Sequence, residues 1–161
     1  MLGKSVALAI MVAILGVFAV GAMAQPAPML YGTPISLENA KKAAAAAVAE
    51  IKKNNWMMAV AVTDPSGDLV YFEKIDGTQT ASIKIAQVKS RCAAVYKRPS
   101  KVFQDMLASG STFVLGLEGA IPSEGGIPLV MDGKIIGAIG VSGGSPQQDG
   151  QAAKAGADVI K

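Results

Sequence analysis

Apolar positions recur at helical spacing through Leu37, Ala40, Ala44, Ala47, Val48 and Ile51, behind Ser36 as a candidate N-cap. The spacing predicts a helix ending at Lys52-Lys53-Asn54-Asn55, and its alanines bring helix propensity and close packing. Trp56 to Val62 then reads as a strand, Asp64-Pro65-Ser66-Gly67 as a turn, and Asp68 to Glu73 as the returning strand. After Asp76-Gly77, residues Thr80 to Lys97 predict a second helix with an apolar stripe of Ala81, Ile85, Val88, Cys92 and Val95. Pro99 ends it, and Ser100 to Ala108 fits a shorter helix.

Thr112 to Leu117 fits either a short strand or an apolar loop, and Glu118 to Gly126 reads as loop. Ile127 to Met131 and Lys134 to Val141 flank Asp132-Gly133, a dipeptide suited to a tight turn in which both central residues take positive φ. Ser142-Gly143-Gly144-Ser145-Pro146 leads into a last helix, with Asp149, Ala152, Ala153, Gly156, Val159 and Ile160 on one face. Helix, hairpin, two helices, hairpin and helix predict an α/β (α+β) fold: a central antiparallel sheet flanked by helices.

The first residues follow another pattern. Lys4, the apolar run Val6 to Val20 and Ala22-Met23-Ala24 match the charged, apolar and cleavage regions of a secretory signal. A membrane anchor is the competing reading. The run is close to the lower limit of about 17 residues for spanning, and Gln25-Pro26-Ala27-Pro28 supplies no charged stop-transfer flank. The chain is therefore expected to divide into a signal peptide (1–24), a proline-bearing flexible tether (25–35) and one domain (36–161), with an exported, periplasmic or secreted product lacking a stable membrane span.

Composition narrows the chemistry. Loss of Lys4 with the leader lowers the formal charge from +3 to +2, too little and too dispersed to suggest nucleic acid. A single cysteine, Cys92, excludes an intramolecular disulfide, and the absence of histidine excludes Ser-His-Asp and Cys-His nucleophiles and histidine acid/base catalysis. No residues are spaced as a metal site.

Candidate chemistry gathers at the end of the second hairpin. Alternation along its last strand puts Ile136, Ala138, Gly140 and Ser142 on one face, which shrinks toward its end and lets a flat ligand or a packed helix approach. Beyond it, the Ser142–Ser145 loop opens a helix whose free N–H groups suit a carboxylate or phosphate. Lys89 stands at the edge of the second helix's stripe with Arg91 further round, either a solvated basic face or a cationic wall for a carboxylated ligand. Gly126, Gly140, Ser142, Gly143, Gly144, Lys89 and Arg91 are the candidate ligand-binding residues. For proton transfer the candidates are Lys89, Asp76 and Glu124, the two carboxylates serving equally well in turns or caps.

Several motifs together resemble the GlcG/HbpS-like (DUF336) haem-binding family: Ala59-Val60-Ala61-Val62-Thr63-Asp64, Ile85-Ala86-Gln87-Val88-Lys89-Ser90-Arg91, Arg98-Pro99-Ser100-Lys101, Glu124-Gly125-Gly126-Ile127-Pro128-Leu129, and Ile136 to Gly143 followed by Asp149. The resemblance runs from about Ser36 to the C-terminus. It implies a profilin-like fold, homo-oligomers, and haem, a related tetrapyrrole or a small carboxylated molecule as ligand. An enzyme acting on a small organic acid or degrading haem, and a ligand-free oligomeric accessory subunit, are the alternatives. Haem ligands in the family are associated with histidine. Without it, iron would need a sulfur, phenolate or amine, from Met57, Met58, Met106, Tyr71, Tyr96, Cys92 or Lys89.

Overall fold

The computed structural model describes residues 29–161, so the expected signal and Gln25–Pro28 lie outside the described residues. In chain order the elements are β1 (Leu30–Tyr31), α1 (Leu37–Lys53), β2 (Ala59–Thr63), β3 (Leu69–Lys74), α2 (Ser82–Tyr96), α3 (Lys101–Ala108), a 3-10 turn (Thr112–Gly116), β4 (Gly126–Met131), β5 (Lys134–Ser142) and α4 (Pro146–Ala157). The segment left open between strand and loop is thus the 3-10 turn.

β5 organises the five-stranded sheet. Along one side it pairs antiparallel with β4; along the other it pairs antiparallel with β2 from Ala138 to Ser142 and parallel with β1 at Lys134 and Ile135. β2 in turn holds β3 as an edge strand. The β4–β5 turn has the expected geometry, Asp132 and Gly133 taking φ of 50° and 71°. β1 falls inside the stretch read as a tether. Its pairing with β5 and the burial of Ile35 make the end of that stretch part of the folded unit.

Helices cover both faces. On one, Ala40, Ala43, Ala44 and Ala47 of α1 and Ala152 and Ala153 of α4 pack with Val60, Val62, Ile139 and Val141. The Ser36 hydroxyl accepts the Asn39 N–H and caps α1 as expected, but Leu37 is exposed, the packed face beginning one turn later at Ala40. Ile136 departs from simple alternation and joins this same core. Leu129 faces Gly137 while Val130 faces Ile135, so Ile136 is the extra residue of a bulge and its side chain changes face.

On the other face α2 lies against β5, β4 and β2, rotated about its axis from the expected stripe, of which Cys92 is buried as expected and Ile85 half-buried. Ser82, Ala86, Ser90 and Ala93 are buried, whereas Val88 and Val95 of the expected stripe are exposed. The reason is the distance between backbones. A Cβ at Gly140 would run into the Ala86 carbonyl and the Ser90 N–H, and one at Gly126 into the Lys89 carbonyl. Only small side chains fit between α2 and the strands, and the Ser90 hydroxyl is satisfied there by Ala138 O at 2.9 Å and Thr63 Oγ1 at 2.8 Å.

Candidate functional site

Lys89 is turned inward by this packing. Its side chain reaches past the start of β4 and places Nζ 2.6 Å from Asp149 Oδ2 on α4, with only 2% and 3% of the two side chains exposed. Gly125, at φ +125°, makes the passage: a Cβ there would lie 2.8 Å from Asp149 Cβ and 3.0 Å from Lys89 Nζ. Asp149 accepts a further hydrogen bond from the Gly144 N–H, 2.9 Å from Oδ1. Burial pushes its carboxyl above the ordinary aspartate value, opposed by the Lys89 ammonium and the N–H groups of Gly143 and Gly144.

Lys89 and the Ser142–Ser145 loop therefore converge as the sequence suggested, but on a side chain of the protein itself. The Gly144 N–H expected to meet a ligand anion bonds Asp149, and Ser145 with Gln148 closes a capping box on α4. Sequence reasoning placed Asp149 on the packed face of the last helix and among the family motifs, but gave it no partner. Its signal was the carboxylate standing in line with Ala152, Ala153 and Gly156, a position that burial tolerates only with a partner.

The remaining candidates separate. Gly126 and Gly140 are contact points for α2 rather than a ligand face, and Ser142 is buried with its hydroxyl 3.4 Å from Ser82 Oγ. Arg91 points away from Lys89, its guanidinium 3.7 Å from Asp68 and near the carbonyls of Ser66 and Gly67 at the β2–β3 turn. Neither carboxylate candidate joins Lys89 in an ion pair: Asp76 is exposed on the turn after β3, and the half-buried Glu124 rests its carboxylate against Gly150. The geometry does not assemble Lys89, Asp76 and Glu124 into one proton-transfer site.

Most of the possible iron ligands are committed to other contacts. Met58 and Cys92 are fully buried, and burial raises the Cys92 thiol. Met106 packs against the Cys92, Phe103 and Val114 cluster. The Tyr96 hydroxyl donates to Glu118 O at 2.7 Å and that of Tyr71 to Glu73 at 3.1 Å, a bond that raises the Tyr71 pKa. Met57 alone of the set is mostly exposed, at 57%, with its sulfur beside Gly77. Among the described residues no group of three His, Cys, Asp or Glu is placed to hold a metal ion, and no helix is long and apolar enough to cross a membrane.

Comparison with known proteins gives this geometry its family. The profile of the family described as "Haem degrading protein HbpS-like" matches residues 35–158. Protein GlcG of Escherichia coli K12 is 39% identical over 108 residues, 67% of this chain and 81% of GlcG. A double-mutant HbpS of Streptomyces reticuli superposes with a TM-score of 0.74 at 30% identity, covering 89% of this chain and 98% of that one. The fold is shared with a PduOC:haem complex at a TM-score of 0.73 and 22% identity, over 80% of this chain and 96% of that one. With the matching profile spanning nearly all the described residues, this chain belongs to the HbpS-like family.

Proposed function

We propose that the protein is exported and binds haem or a closely related tetrapyrrole. The haem reading is carried by the family match across residues 35–158, and export by the leader pattern of Lys4, Val6 to Val20 and Ala22-Met23-Ala24. The likeness of the fold to PduOC in its haem complex adds support. Of the candidate iron ligands, Met57 is the one whose side chain is mostly exposed, and its thioether would serve as a soft ligand. Haem bound there would lie on the surface formed by the approach to β2 and the turn around Gly77.

Hemin titration of protein lacking residues 1–24 tests the reading. A saturable Soret shift and a raised unfolding temperature are expected, because a ligand specific for the folded state stabilises it. Met57→Ala should weaken binding at least tenfold while leaving the unliganded unfolding temperature unchanged. Absence of both the Soret shift and the stabilisation removes haem. Export is tested separately by the N-terminal mass of the product made in intact cells. A chain beginning near Gln25 is expected, and one retained in the cytoplasm from Met1 overturns it.

A further inference from the structure

A cavity of about 330 Å³ lies at the opposite end of β5 from the Lys89–Asp149 pair, between the segment entering α1 and the β4–β5 hairpin. Its wall is fixed at both ends. The Gly32 N–H donates to Ile135 O at 2.8 Å and the Ile35 N–H to Ile136 O at 2.7 Å, so Thr33 and Pro34 arch away from the strand between two anchors. Gly32 permits the closeness: a Cβ there would come within 3.0 Å of Lys134 Cβ.

The lining is divided. Ile35 and Ile136, each 6% exposed, form an apolar floor with Met131. Asp132, in the hairpin turn, and Lys134, the first residue of β5, are exposed residues of the lining, and neither forms an ion pair among the described residues. Asn39 adds an amide, while the Ser36 hydroxyl already accepts the Asn39 N–H. One cation, one anion and an apolar floor match a molecule with a carboxylate, a neighbouring hydrogen-bond donor and a short apolar tail. The volume is at the small end of the roughly 300–1,000 Å³ typical of ligand sites, suited to a small acid rather than a macrocycle.

We infer that this cavity binds a small carboxylic acid carrying a 2-hydroxyl or 2-ammonium group, with the carboxylate at Lys134, the donor at Asp132 and the tail over Ile35 and Ile136. This site is separate from the surface around Met57 and does not depend on haem. Calorimetric titration with L-leucine and 2-hydroxy-4-methylpentanoate, against 4-methylpentanoate lacking the donor and leucinamide lacking the carboxylate, tests it.

At least one of the first two compounds should bind saturably, and at least tenfold more tightly than either control. Lys134→Met should abolish most of that binding and Asp132→Asn should remove the preference over 4-methylpentanoate, both with unchanged unfolding temperatures. No saturable heat with either donor-bearing acid, or affinity unchanged in Lys134→Met, overturns the assignment. Hemin titration of Lys134→Met separates the two sites, its Soret response being expected to match that of the unsubstituted protein.

Discussion

Lys89 and Asp149 meet at 2.6 Å although their helices lie on opposite faces of the sheet. The contact closes around the start of β4, through space that Gly125 leaves open, and joins the two helical layers. Its thermodynamic role depends on what replaces it. Lys89→Met leaves a buried carboxylate without its cation and is expected to cost about 3–5 kcal/mol. The double replacement Lys89→Met/Asp149→Leu removes both charges and should recover much of that loss, short by about 1–3 kcal/mol for the Gly144 N–H left without its acceptor. Denaturant unfolding of the single and double variants measures the coupling. Simple additivity would show that the pair does not act as a unit.

Asp149 also sets a direction for pH dependence. Its carboxyl is raised above 3.8, with burial the largest cause. Between the unfolded and the folded value, the folded protein keeps a proton that the unfolded chain has released. The stability contributed by this group is therefore fully present below the unfolded value and lost as pH rises through the folded one. Asp149→Asn lacks the titration. Relative to that variant, the unsubstituted protein is expected to lose stability as pH is raised from about 3 through the aspartate range. Thermal unfolding of both proteins across that range is the measurement, and a relative gain with rising pH would refute the assigned direction.

The close approach of α2 to β5 makes a third prediction. Gly140→Ala places a methyl against the Ala86 carbonyl and Ser90 N–H, rigid backbone on both sides, and overpacking of this kind costs about 1–3 kcal/mol or more. Gly116→Ala is the internal comparison. A Cβ there meets nothing within 4 Å, and stability should stay within about 0.5 kcal/mol. Equal effects in chemical denaturation would mean that proximity to α2 does not limit the size of residue 140.

These backbone contacts also explain where the sequence was readable. Local signals located most elements: Ser36 caps α1, Asp132-Gly133 makes the turn, and the Ser142–Pro146 segment leads into α4. The face of α2 was legible only in part, Cys92 being buried as its place in the stripe implies, because periodicity ranks residues by hydrophobicity. Here the fit was decided by size, Ser82, Ala86 and Ser90 going inward and Val88 and Val95 outward. β1 escaped notice because two residues beside Pro28 and Pro34 give no alternation, and its pairing depends wholly on Lys134 and Ile135. At the candidate site, Lys89 and the glycine loop were visible separately. The partnership with Asp149 was not, since 60 positions separate the two charges and only the fold closes that distance.

The β4–β5 turn supplies the last prediction and supports the ligand test at Asp132. Asp132 and Gly133 both hold positive φ, where a side chain beyond Asn or Asp meets its own backbone. Gly133→Ala has open space around the new methyl, so crowding is not its cost. The φ of 71° alone should destabilise the protein by about 1–2 kcal/mol. Asp132→Asn keeps a residue type that tolerates the left-handed region and should leave the unfolding midpoint within about 0.5 kcal/mol. A pair of denaturation curves decides both, and Gly133→Ala matching the unsubstituted protein would show that the turn carries no such strain. If Asp132→Asn is as stable as expected, a change in its ligand preference reports the lost carboxylate rather than a displaced hairpin.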